Sequence, residues 1–237
     1  MPSGLRFQTR RPDELIRAAC DGLLSIVLAP VCAACRRPLE SPTRGAVCAS
    51  CWSAIVPIAP LGCGCFPPHI SLATAIGPYE DTLKEIVHAL KYDPRPTIAR
   101  RLGLQMREAG GPVLTGADVV VPVPLHRSRE RTRGFNQARA LATHLGLPLM
   151  DALARSRRTA VQADLPAAGR HANVQGAFVL KVPSSALDGA IVVLVDDVST
   201  TGATLNACAA PLLAAGAREV RALTAARARL RSGAAPR

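Results

Sequence analysis

Hydrophobic positions along the chain alternate between two spacings. Leu83, Ile86, Val87 and Leu90 recur at the i, i+3, i+4, i+7 interval of an amphipathic helix. That pattern ends at Lys91-Tyr92, just before Pro94. The same reasoning predicts helices over 13–29, 97–108, 134–145 and 201–215, the last stopped by Gly216. Between them lie short apolar runs without polar interruption. One covers 118–123 and is cut off by Pro122 and Pro124, and the other covers 191–195 and is mostly β-branched. Such runs read as strands buried on both faces of a parallel sheet. Weaker strand signals cover 71–76, 147–150, 176–180 and 219–223. Strands alternating with helices make a mostly parallel α/β sheet with helices on its faces. No internal repeat interrupts the pattern, and 232–237 reads as a disordered end.

From 30 to 68 neither spacing holds, and the residues are Cys, Pro, Gly and other small types. Cys32-x2-Cys35 is followed after twelve residues by Cys48-x2-Cys51. Two such turns can each offer two thiolates to one tetrahedral zinc, and a module this small needs a staple of that kind. Cys63-Gly64-Cys65 follows, as a degenerate second half of a ribbon or as two spare thiols. The competing reading is a pair of disulfides, which requires an oxidising compartment. No secretory signal is visible, and the apolar stretch 23–29, preceded by Asp13, Glu14 and Asp21, is too short to span a bilayer. Zinc in a reducing cytoplasm is therefore favoured. Cys20 and Cys208 have no partner at such spacing and read as buried small apolar residues. A boundary near Pro67-Pro68 divides the chain into a helix and cysteine module, 1–68, and a larger domain, 69–237.

Net charge is +12, from 26 arginines and 3 lysines against 17 acidic residues. It gathers in Arg127–Arg133, in 155–158 and along 218–237, where Arg227, Arg229 and Arg231 read as a tail after the last strand. A positive surface favours phosphorylated ligands and polyanions. With seven aromatic residues, stacking platforms for single strands are poorly supplied. Basicity thus licenses a nucleic-acid hypothesis only, and a solvated basic surface accounts for most of these charges.

The chemistry concentrates after the strand at 191–195. Asp196-Asp197-Val198-Ser199-Thr200-Thr201-Gly202-Ala203-Thr204 joins two carboxylates to a hydroxyl-rich loop that opens a helix. Unpaired N–H groups and the helix dipole suit a phosphate there, and Gly202 lets the backbone approach closely. Asp196 and Asp197 would repel a phosphate, but they suit the two adjacent hydroxyls of a ribose and can help hold a metal. The implied ligand is a ribose with a 5-phosphate. A nucleotide triphosphatase would need Gly-x-x-x-x-Gly-Lys-Ser/Thr upstream, and a dinucleotide site would need Gly-x-Gly-x-x-Gly; the chain has neither. An ordinary capped strand-turn-helix is the plain alternative. Ligands of open α/β sheets sit at the carboxyl ends of strands, so the loop 122–129 opens on the same crevice. There Arg127 and Arg129 suit a pyrophosphate, unless that loop is simply solvated. His126 could serve as a base, although a lone histidine among arginines is more often a surface residue. Gln162, Arg170 and Asn173 read as part of a loop over the pocket.

The Asp196-to-Thr204 run resembles the signature of the phosphoribosyltransferase fold. Taken with the cysteine turns, Leu90-Lys91-Tyr92, 121–125, Arg133-Gly134-Phe135-Asn136-Gln137, and Arg170-x-x-Asn173-Val174, it resembles the ComF family of competence-associated proteins over nearly the full chain. The resemblance implies an N-terminal zinc ribbon on a type I phosphoribosyltransferase fold. It also implies binding of 5-phosphoribosyl-1-pyrophosphate with magnesium, and a role in handling imported single-stranded DNA. Pyrophosphate would be displaced at the anomeric carbon by an acceptor that the sequence does not identify. Asp196 and Asp197 would orient the ribose, Ser199, Thr200, Thr201, Gly202 and Thr204 would hold the phosphate, and Arg127 and Arg129 would meet the pyrophosphate. Two other readings stand beside this one: a non-catalytic ribose-phosphate sensor, and a DNA-transaction accessory contacting single-stranded DNA or a helicase-like import partner. Members usually carry Cys-x-x-Cys where this chain has Cys63-Gly64-Cys65, which puts a second metal half-site in doubt.

Overall fold

The computed structural model describes residues 12–58, 67–92, 95–156 and 176–228. Cys63, Cys65, Gln162, Arg170, Asn173, Arg229, Arg231 and the end at 232–237, all singled out from the sequence, lie outside the described residues.

Among the described residues six strands form in chain order: β1 (Ala73–Pro78), β2 (Val119–Pro122), β3 (Leu153–Arg155), β4 (Phe178–Leu180), β5 (Ile191–Ser199) and β6 (Glu219–Arg227). Four of them make one sheet in the order β1-β6-β5-β2, parallel throughout. The predicted strand at 147–150 contributes one parallel bridge, Val120 to Leu149. β3 and β4 pair antiparallel as a separate ribbon. The sequence reading had β4 but not β3, whose Leu-Ala-Arg offers one large apolar residue where β4 has Phe-Val-Leu.

The uninterrupted run in β5 faces both ways. Val193 and Val195 pack with Ile86 and Leu90 of α3 (Asp81–Tyr92), Leu102 of α4 (Pro96–Ala109), Val113 of α5 (Gly111–Leu114) and Leu141 of α7 (Gln137–Ala142). Val192 and Leu194 pack instead with Leu205 and Leu212 of α8 (Ala203–Ala214). Burying each such side chain stabilises the fold by about 1.5–3 kcal/mol.

Two boundaries differ from expectation. β5 does not stop at the carboxylates, and β6 does not stop at 223. The two strands continue side by side, with Asp196 opposite Thr224 and Ser199 opposite Arg227. Mutual ladder hydrogen bonds carry both strands past the end of their hydrophobic runs. Arg227 therefore belongs to the sheet and not to a tail. The expected helix 134–145 is shortened to α7, and a helix not expected from the sequence, α6 (Arg127–Arg133), precedes it. Every residue of α6 is polar or charged and none is buried, so hydrophobic spacing gave no sign of it.

Ahead of the sheet, α1 (Pro12–Leu28) leads to the cysteine turns, and α2 (Ala49–Ser53) carries Cys51. α1 meets the rest of the chain mainly at 42–44, where the Thr43 N–H donates to Asp21 Oδ1 at 2.8 Å. Its Leu23, Ile26 and Val27 are exposed. Cys20, expected to be buried, is exposed too, because this helix is not laid on the core; Cys208 is buried in α8 as expected. The cysteine segment itself is well packed. Leu39, Val47 and Trp52 join the apolar cluster that contains α3 and α4, with the Arg101 guanidinium 5.6 Å from the Trp52 ring centre. No helix among the described residues is long and apolar enough to cross a membrane.

Candidate functional site

At the carboxyl end of the sheet, β5 delivers Asp196 and Asp197 into a cleft of about 310 Å³. Successive strand residues point to opposite faces, and the two carboxylates meet different surroundings accordingly. Asp197 takes an ion pair from Lys91 Nζ at 3.0 Å, at the end of α3. Leu90, fully buried beside it, anchors that last helical turn. Asp196 accepts the Asp197 backbone N–H at 2.8 Å. Burial, and next the neighbouring Asp197 charge, push the Asp196 carboxyl up to about 7.

Cations dominate the rest of the cleft: Arg129 and Arg133 from α6, and Arg155 from β3. Arg155 is largely buried, and its burial followed by the proximity of Arg129 lowers its pKa. Two guanidiniums held close beside carboxylates form a site that favours a polyanion. Local chemistry fixes their positions. His126 caps α6, its Nδ1 accepting the Ser128 N–H at 3.2 Å and pairing with Ser128 Oγ at 2.8 Å. Gly134, left-handed at φ 77°, ends the helix with its N–H on Glu130 O. Asn136 then caps α7, accepting from Ala138 N and Arg139 N, and donates through Nδ2 to Val123 O at 3.1 Å. Arg133 donates to the Gln137 Oε1 at 3.0 Å and lies over the Tyr92 ring. The run 133–137 is thus a turn that ties the arginine helix to the end of β2.

The hydroxyl loop borders the same cleft through Thr200 and Thr204. Gly202 is left-handed at φ 75°, and Thr201 Oγ1 accepts the Ala203 N–H at 3.4 Å as α8 begins. A Cβ on Gly202 would meet Pro67 Cγ at 2.5 Å, so the segment entering the sheet lies directly on this loop.

The four cysteines form a second centre. The sulfurs of Cys32, Cys35, Cys48 and Cys51 all lie within 4.8 Å of one another, with 3.8 Å between Cys32 and Cys51 and between Cys35 and Cys48. Tetrahedral Zn–S bonds of about 2.3 Å require S···S edges of roughly 3.8 Å, so the donor set fits and the cluster could hold a zinc ion. None of these cysteines is in a disulfide. Hydrogen bonds from Arg37 bring the Cys35 thiol down to about 6, while burial pushes Cys51 well up.

Of the residues singled out from the sequence, the structure gathers Asp196, Asp197, Thr200, Thr204 and Arg129 around one cleft. Ser199, Thr201 and Gly202 line a smaller cavity on the other side of their loop, which Thr200 shares. Arg127 is exposed at the first turn of α6 and does not line the cleft. His126 is a helix cap. Lys91 and Arg133 had been noted only within motifs, and Arg155 only within a basic cluster, because their roles depend on which elements meet.

A Phosphoribosyl transferase domain model matches residues 118–235. Competence protein F of Haemophilus influenzae is 31% identical over 221 residues, covering 88% of this chain and 95% of that protein. DNA utilization protein YhgH of Salmonella typhimurium is 35% identical, covering 80% of this chain and 87% of that protein. Competence protein ComFC of Bacillus subtilis is 28% identical, covering 87% and 81%. Similarity at this level, over most of both chains, makes the chain a member of the ComF family of competence proteins, carrying a phosphoribosyltransferase domain.

Proposed function

We propose that the chain binds 5-phosphoribosyl-1-pyrophosphate with magnesium at the end of β5 and transfers the phosphoribosyl group to an acceptor. One observation carries this reading: Asp196-Asp197 stands between a hydroxyl loop on one side and Lys91, Arg129 and Arg155 on the other. Carboxylates would accept from the ribose hydroxyls, and the arginines would bind the pyrophosphate bidentately. Two carboxylates plus substrate phosphates suit magnesium, which neutralises leaving-group charge when bound. In the transfer, the bond between the anomeric carbon and pyrophosphate breaks through an oxocarbenium-like state. The acceptor's lone pair forms the new bond, and pyrophosphate leaves with the bonding electrons. The chain's own residues act by holding the ribose and stabilising the departing charge.

The four-cysteine cluster, in this reading, holds structural zinc in a cytoplasmic protein, with 1–68 as its module and 69–237 as the transferase domain. The names of the relatives extend the proposal to handling of single-stranded DNA during competence or DNA utilization, alone or with a helicase-like partner. A non-catalytic ribose-phosphate sensor is the second reading, favoured by one observation: His126, the candidate base, is spent on capping α6.

Calorimetry with 5-phosphoribosyl-1-pyrophosphate and magnesium tests the binding. Asp196→Asn with Asp197→Asn should weaken affinity about a hundredfold or more, since each lost charge-assisted bond is worth roughly 1.5–3 kcal/mol. Equal affinity in the double variant would move the ligand elsewhere. Pyrophosphate release with a panel of nucleobase and amine acceptors then separates enzyme from sensor.

A further inference from the structure

Arg133 lines two spaces. One is the cleft of Asp196 and Asp197, and the other is a separate cavity of about 410 Å³ between α4 and α7. Those helices are packed together through Leu102 and Leu141, so the cavity walls are fixed by the core. Pro96 and Ala99 of α4, Phe135 of the turn and Ala140 of α7 make its apolar side. Arg95, at the head of α4, and Arg133 give it charge, and no carboxylate lines it. His144, just past α7, adds an imidazole. Burial, and next the Arg100 charge, lower the pKa of His144, so near neutral pH it brings no charge of its own. Among the described residues Arg133 has no carboxylate partner. It rests on a neutral acceptor, Gln137 Oε1, and on the Tyr92 ring at 5.5 Å, and neither compensates its charge. An aromatic side chain beside guanidiniums suits a flat ring that carries an anion, because the ring stacks and the fork grips the oxygens. A free phosphate would leave the apolar side uncovered, and an uncharged ring would make no use of the guanidiniums.

We propose that this cavity is a second small-molecule site, taking a planar aromatic ring with a carboxylate or phosphate group, and that it shares Arg133 with the cleft. The ring lies against Phe135, and the anion meets Arg133 and Arg95. One guanidinium cannot serve an anion on each side at full strength, so an occupant of the cavity weakens polyanion binding in the cleft. Coupling between two binding sites is reciprocal, and the effect runs equally in both directions. Which phosphorylated ligand the cleft takes does not matter to this coupling, since Arg133 faces any polyanion there.

The full chain is titrated with 4-fluorobenzoate and with 4-fluorophenyl phosphate, followed by fluorine NMR; the probes share a ring and differ in the anion. At least one should bind, and 4-fluorobenzamide, with the ring but no charge, should bind about tenfold more weakly or worse, having lost the charge-assisted contact. Thr143→Trp sets an indole at the exposed rim of the cavity and should weaken the probe by a similar factor. It should leave magnesium pyrophosphate affinity unchanged, because Thr143 does not line the cleft. In the wild type, saturating magnesium pyrophosphate should weaken the probe about fivefold or more, and saturating probe should weaken pyrophosphate equally. Arg133→Gln should abolish this mutual effect. A wild-type chain that binds neither probe overturns the proposal, as does wild-type probe affinity in T143W. Probe binding that pyrophosphate does not alter overturns the sharing of Arg133. A chain that binds the probe and no pyrophosphate overturns that sharing and the polyanion cleft together, and supports the cavity as a site. Should T143W fail to fold, nuclear Overhauser contacts between the probe and the Phe135 ring in the wild type support the proposal, and their absence overturns it.

Discussion

Asp196 is held in a folded environment that disfavours its charge, through burial and through Asp197. Its folded pKa of about 7 stands above the ordinary carboxylate value of 3.8. Between those two pH values the folded chain keeps a proton that the unfolded chain releases. Stability therefore falls as pH rises from about 4 through 7, then levels off. Asp196→Asn removes that loss. The variant should match the wild type near pH 4 and melt several degrees higher at pH 8, because a pKa displaced by one unit is worth about 1.4 kcal/mol. Melting curves across this range check the sign, and a variant that gains nothing at pH 8 would contradict it. In the proposed function Asp196 also accepts a ribose hydroxyl, and on that reading greater stability and weaker ligand binding should appear together. A carboxylate with that role would be kept at a cost in stability, the expected trade-off.

At the scale of elements, the short turn between α6 and α7 controls where the cleft arginines stand. Asn136 accepts from two N–H groups of α7 and donates to the end of β2. Asn136→Ala removes both functions and should cost about 1–2 kcal/mol, seen as a lower denaturation midpoint. Asn136→Asp keeps the cap and loses only the donation to Val123 O, so its loss should be smaller. Both variants should weaken magnesium pyrophosphate more than ribose 5-phosphate, since α6 supplies Arg129 and Arg133 to the cleft. Equal weakening of both ligands would mean that the turn serves stability alone.

The whole molecule is coupled through one apolar cluster that reaches from the cysteine segment to α3 and α4. Metal removal should therefore lower the melting temperature of the whole chain, and Cys32→Ser with Cys48→Ser should abolish about one equivalent of bound zinc. Unchanged metal content in that variant would show that other residues hold the ion. The net charge of +12 predicts weak, sequence-independent binding of single-stranded DNA with a steep salt dependence. Titrations at several salt concentrations measure that slope, and replacing Arg229 and Arg231 should flatten it. Binding insensitive to salt would indicate base stacking instead.

Much of this was legible in the sequence because it is local. Buried runs such as 191–195 and helical spacing such as 83–90 are set by backbone geometry and by the need to bury one face, and each repeats within a few residues. The cysteine spacing and the Asp196-to-Thr204 run likewise place their donors within one or two turns of chain. Only tertiary structure decided the remainder. α6 has no apolar period, since nothing on it is buried, and it became visible only through its caps. Lys91, Arg133 and Arg155 reach one cleft from three elements distant in the chain. Arg227 looked like the start of a basic tail. Pairing of β5 with β6 beyond their hydrophobic runs, and a slip in alternation near their ends, brought it beside the hydroxyl loop. Sequence spacing records which face an element buries; which charges converge at its end depends on its neighbours.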